Sequence, residues 1–163
     1  MLDQIKTAFT EVDQKMLETQ MAWAMERMDA LASFNPDEDE WVQAGKQHGN
    51  QEYLGRKAMK KHEIAGGKTW YNVFCGRNKD MVAELIVKNV EALIEKRNAR
   101  IIAALTKKGV TELPEFTVKH DGNGWSGKFD VAGNTVTIET ILAGGYHIQC
   151  LHQRTLVKVK AAA

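Results

Sequence analysis

The sequence predicts an α+β protein: a long N-terminal helix and two further helical elements, followed by a C-terminal antiparallel β-meander of four to five strands. Three observations carry this. Apolar residues recur at helical spacing over residues 2–32 and again over 79–108. From Phe116 the apolar period changes to two. Glycine-rich turns then punctuate the chain at hairpin intervals.

The first helix is marked by Leu2, Ile5, Phe9, Val12 and Met16, at alternating spacings of three and four. Beyond Met16 the apolar surface broadens: Leu17, Met21, Trp23, Ala24, Met25, Met28 and Leu31 cover more than one face. A helix apolar over so much of its girth needs a second burying surface, from its own domain or from another subunit. The methionines Met16, Met21, Met25 and Met28 suit either core filling or an adaptable interface. The stripe Leu2, Ile5, Phe9, Val12, Met16, Met21, Met25 and Met28 is therefore the candidate self-association surface.

Asn35-Pro36 ends this helix, because the residue before proline is pushed out of the helical region. The run Asp37 to Glu40 suits the N-terminus of a second helix, expected from about residue 38 into the low sixties. Gly45, Gly49 and Gly55 weaken it and allow it to break in two. Gly66-Gly67 stops it, and Thr69 to Phe74 reads as a short isolated strand. Asn78 caps the third helix, 79–108, whose Val87, Val90, Ile94, Ile101 and Leu105 share a face. Lys107-Lys108-Gly109 ends it, with cations at the negative end of the dipole and glycine just beyond.

Strands are expected near 116–120, 125–131, 134–142, 145–153 and 155–160. Asp121 to Gly124, Ala132 to Asn134 and Ala143 to Gly145 supply turn residues. Lys158 and Lys160 would discourage pairing at the sheet edge. This reading gives an N-terminal helix over 1–34 and an α+β domain over 35–160. Ala161 to Ala163 follow as a vector scar or frayed end.

Charge is sorted along the chain although the total is only +1. Residues 1–50 carry ten acidic and four basic side chains, whereas 53–108 carry five acidic and thirteen basic. Arg56, Lys57, Lys60 and Lys61 cluster near Tyr53, and Lys68, Arg77 and Lys79 surround Trp70 and Tyr71. On the third helix Lys96, Arg100 and Lys107 fall within about 40° of one another, apart from the glutamates. Basic residues among aromatics suit single-stranded nucleic acid or a nucleotide. The same charge also suits pairing with the acidic N-terminal region. The candidate anion-binding set is Arg56, Lys57, Lys60, Lys61, Lys68, Lys96, Arg100 and Lys107.

Motifs for catalysis fail on spacing or context. Gly66-Gly67-Lys68-Thr69 ends like a P-loop, but the glycine required four residues earlier is His62, and the order is helix, loop, strand. One phosphate held by the Gly66 and Gly67 N–H groups beside Lys68 is the weaker version that remains. His147 and His152 point to opposite sides of a strand, so with Cys150 they form no zinc set. His120-Asp121 enters a glycine-rich turn, the natural place for Asp121. Cys75 and Cys150 are too few and too far apart for a disulfide framework, which points to a reduced cytoplasm. No secretory leader and no membrane span are expected.

Two stretches, Gly67 to Tyr71 leading into Lys88 to Ala99, and Ile141 to Gln149, resemble small phage or prophage open reading frames. The resemblance covers about half the chain, contains no diagnostic motif and carries over no functional residue. It implies a host-directed accessory protein, such as an inhibitor of a defence system, acting in the host cytoplasm. The leading expectation is thus a non-enzymatic binding protein that self-associates, contacts a macromolecular partner (most naturally a protein) and needs no cofactor. A nucleic-acid or nucleotide binder using the basic segment 53–108 is the second reading. An enzyme of unrecognised type is the third.

Overall fold

The N-terminal apolar stripe forms two helices joined at one residue, α1 (Leu2–Ala8) and α2 (Thr10–Ala30). The junction is Phe9, with φ −100° and ψ 8°. The Phe9 N–H still donates to the Ile5 carbonyl and the Asp13 N–H to the Phe9 carbonyl, so helical bonding continues across it. The Thr10 hydroxyl donates to the Thr7 carbonyl at 3.0 Å, a local competitor for backbone bonding. The computed structural model describes residues 1–30, 32, 41–47, 50–55, 63–64, 68–69, 78–122, 124–143 and 152–162.

The expected second helix is instead an antiparallel hairpin, β1 (Trp41–Gln47) and β2 (Asn50–Gly55). Gln47 pairs with Asn50 at the turn, and the register slips between Gln43 and Gly45. Gly45 and Gly55 are costly in a helix, and Trp41, Val42 and Tyr53 are strand formers. Those preferences outweigh the acidic run that looked like a helix start. A second, minimal hairpin joins β3 (Glu63–Ile64) to β4 (Lys68–Thr69). The remainder of the expected strand 69–74 lies outside the described residues.

Helix α3 (Lys79–Thr106) begins and ends as its sequence requires. The Asn78 side-chain oxygen accepts from the Met81 N–H at 3.0 Å, an N-cap bond. At the far end the Val110 N–H donates to the Leu105 carbonyl and the Gly109 N–H to the Thr106 carbonyl. With Gly109 at φ 77° this is a Schellman motif, and Leu105 and Val110 are both buried in the core it closes.

A four-stranded antiparallel sheet follows, in the order β5 (Lys119–His120), β6 (Trp125–Val131), β7 (Asn134–Ala143) and β8 (His152–Ala161). The β6–β7 connection is a two-residue turn with positive φ at Ala132 (49°) and Gly133 (73°), the type I′ geometry that matches strand twist. Two expected strands, 145–153 and 155–160, are not separated at Arg154: β8 runs unbroken through it. Residues 144–151 lie outside the described set. Ala161 pairs with Asn134, and the Ala162 N–H donates to the Gly133 carbonyl. Ala161 is thus part of the ladder.

The chain divides into two compact units. The division falls within the helices, between Met16 and Leu17 and between Val90 and Glu91. Unit 1 comprises Met1–Met16, Glu91–Ala143 and His152–Ala163. Its core joins Ile5, Phe9 and Val12 to Ile101 and Leu105 of α3 and to Val136 and Ile138 of β7. Unit 2 comprises Leu17–Val90 and Gly144–Leu151. Its buried residues include Gln20, Ala24 and Met28 of α2 and Val82, Leu85, Ile86 and Val90 of α3.

Candidate anion-binding surfaces

The opposing charges of the two sequence segments meet inside unit 1. Arg97 is 3% exposed and sits on the apolar side of α3, about 40° from Ile101. Its guanidinium makes a bidentate pair with the Asp13 carboxylate, with Nη2 donating to Oδ2 at 3.1 Å and Nη1 to Oδ1. The Asn98 side-chain oxygen accepts from Arg97 Nε and Nη2 at 3.1 and 2.8 Å. The Phe9 ring lies 4.2 Å from the guanidinium carbon, a cation–π contact. This set matches the planar fork of arginine and could not be served as well by lysine. In unit 2, Lys79 pairs with Asp29 at 2.6 Å, but both side chains are more than half exposed.

Neither Asp13 nor Arg97 was among the expected functional residues. The signal was present: Arg97 interrupts the Ile94, Ile101, Leu105 face, and Asp13 lies about 40° from Phe9 on its helix. A charge within an apolar stripe calls for a buried partner.

The outer side of α3 is different. Lys96, Arg100 and Lys107 are exposed, and their side chains form no hydrogen bond or ion pair among the described residues. Their shared direction is about 130° from the mean direction of Arg97, Asn98, Ile101 and Leu105. The remaining basic candidates do not join them. Lys68 lies in β4, and Arg56, Lys57, Lys60 and Lys61 lie outside the described residues.

The candidate self-association stripe is largely consumed within its own chain. Ile5, Phe9, Val12 and Met16 are fully buried, and the first three belong to the unit 1 core. Met28 is buried, Met21 and Met25 are half-buried, and Leu2 is 42% exposed. Apolar girth on this helix is therefore met mainly by its own fold, which the spacing of residues could not distinguish from a second subunit.

A further basic surface occupies the open face of the sheet. Strand alternation puts Ser126, Lys128 and Asp130 of β6, Thr135, Thr137 and Glu139 of β7, and Lys158 and Lys160 of β8 opposite the core face. Lys128, Thr137 and Lys158 stand in one cross-strand row. Both oxygens of Glu139 accept from Lys158 Nζ at 3.0 Å, and the Thr135 hydroxyl donates to Asp130 at 2.6 Å. A cleft of about 290 Å³ lies among the lysines and threonines. Sequence alternation had marked Lys158 and Lys160 only as guards of an edge strand. Lys128 is brought to them by the β6–β7 register.

A larger groove of about 680 Å³ runs beside Asp3 and Thr7 of α1, Glu115 and Phe116, and Lys128 and Phe129 of β6. Phe116 and Phe129 pack with ring centroids 4.5 Å apart. His120 and Asp121, in contrast, serve their turn. His120 packs edge-on against Trp125 at 5.2 Å, and the Asp121 carboxylate accepts from the Gly124 N–H at 3.1 Å. Among the described residues no group of three or more His, Cys, Asp or Glu is placed to hold a metal, and no helix is long and apolar enough to cross a membrane. His147 and Cys150 lie outside those residues. No protein-family model, no curated protein and no solved structure matches this chain.

Proposed function

We propose that the protein works by binding, and that the outer side of α3 contacts the phosphate backbone of a nucleic acid. The observation that carries this is the contrast in pairing along one helix. Arg97 is neutralised by Asp13, whereas Lys96, Arg100 and Lys107 remain exposed and without ionic partners among the described residues. Such a stripe concentrates positive potential on a chain whose total charge is only +1. The proposed setting is the cytoplasm, supported by the two distant cysteines. The phage-type resemblance would make the nucleic acid part of a host-directed role.

Fluorescence anisotropy with labelled single- and double-stranded oligonucleotides at low salt tests the proposal. Binding should occur and should weaken about tenfold or more in the K96E/R100E double variant, with an unchanged melting curve. Absence of binding, or equal binding by the variant, contradicts it.

A second reading is self-association through Leu17, Met21 and Met25 of α2. It is favoured by their partial exposure along an arc of about 80°. Light scattering should then show a dimer or larger species that M21E/M25E converts to monomer. A wild-type monomer at tens of micromolar (roughly the range where modest interfaces assemble) would remove this reading.

A further inference from the structure

We propose that the open face of the sheet in unit 1 binds a small phosphate-class dianion, such as a phosphate monoester, in the cleft between Lys128, Lys158 and Lys160. The cleft follows from side-chain length. The middle strand β7 presents short threonines, while β6 and β8 present lysines on either side. Neighbouring strands lie about 4.8 Å apart, so the Lys128 and Lys158 backbones stand roughly 10 Å apart across Thr137. Lysine stems are long enough to bring their ammonium groups over the space between.

Pairing within the cleft is incomplete. Glu139 occupies Lys158, and Asp130 occupies the Thr135 hydroxyl. The ammonium groups of Lys128 and Lys160 and the Thr137 hydroxyl have no hydrogen-bond or ionic partner among the described residues. Three ammonium groups stand against Glu139, which lines the cleft, and Asp130 beside Thr135, so net positive charge remains for an anion. An oxyanion between Lys128 and Lys160 would accept from both and from Thr137, and would relieve the repulsion of like charges across the strands.

Size and lining select the class. About 290 Å³ is at the small end of ligand cavities. Among the described residues no aromatic side chain lines the cleft, so they offer no stacking platform of the kind single-stranded nucleic acid uses. The site is on the face of the sheet opposite the core that packs against α3, and it is independent of the nucleic-acid reading.

The test is an amide NMR titration with inorganic phosphate and with phenyl phosphate, at ionic strength held constant with chloride. The expected result is a saturable shift of resonances in Thr135–Glu139 and Lys158–Lys160, with affinity weakened about tenfold or more in K128Q/K160Q. T137V should weaken it by a smaller factor, and K96E/R100E should leave it unchanged. Lys128 and Lys160 are exposed, so the double variant should retain the wild-type amide spectrum elsewhere. A response that does not saturate, or that K128Q/K160Q leaves intact, overturns the proposal.

Discussion

On the inner side of α3, Arg97 is enclosed by Asp13, Asn98 and the ring of Phe9. On the outer side, the side chains of Lys96 and Arg100, one residue before it and three after, are exposed and have no hydrogen-bond or ionic partner among the described residues. All three carry a positive charge and lie close in sequence, yet their environments give that charge different consequences. Inside, desolvation makes the charge a structural commitment that must be matched. Outside, water already satisfies it, and its surplus is available to a ligand. Sorting of charge along the sequence thus has two outcomes in one helix.

The sharpest way to break this comparison is to remove Asp13. Asp13→Ala leaves a buried guanidinium without its counter-ion and should cost about 3 to 5 kcal/mol, toward the lower end because Asp13 is itself 20% exposed. Replacing both partners by apolar residues of similar size, Arg97→Met with Asp13→Leu, should recover most of that loss. Urea denaturation of both variants checks it. A loss below about 1 kcal/mol for Asp13→Ala would show that the pair is decorative.

The exposed pair of unit 2 gives the intermediate case. Lys79→Ala removes the bond to Asp29, but both groups are well solvated, so the loss should be about 0.2 to 1 kcal/mol and should shrink in high salt. Lys96→Ala, which breaks no pair, should change stability by less than about 0.5 kcal/mol. The order Asp13, Lys79, Lys96 is the prediction; any other order contradicts the assignment of inner and outer roles.

A smaller effect probes the sheet that supports the inner face. Ala132 holds a positive φ that L-residues with a Cβ adopt at a cost, and the position favours asparagine in a type I′ turn. Ala132→Asn should raise stability by about 0.5 kcal/mol, measured by the denaturation midpoint.

Much of this architecture was legible in the residues. The Asn78 cap, the Gly109 ending and the Ala132-Gly133 turn each depend on local chemistry, which a sequence displays. The hairpin at Trp41–Gly55 was missed because its acidic approach resembled a helix start, while strand pairing joins residues that no local rule links. Continuity of β8 through Arg154 and into Ala161 was missed for a related reason: the ladder with β7 determines where the strand ends. Burial of Ile5, Phe9 and Val12 in their own core depended on partners about a hundred residues away. The outer stripe was legible because helical periodicity alone defines it. Lys128 joined Lys158 and Lys160 only once the register was known.

The central claim is that the outer stripe of α3 is a surface for polyanions. The most direct measurement is the salt dependence of oligonucleotide binding for the wild type and K96A/R100A. If Lys96, Arg100 and Lys107 each neutralise a phosphate, the logarithmic slope should be about −2 to −3 for the wild type and close to −1 for the variant. Identical slopes, or no binding by either protein at low salt, would contradict it.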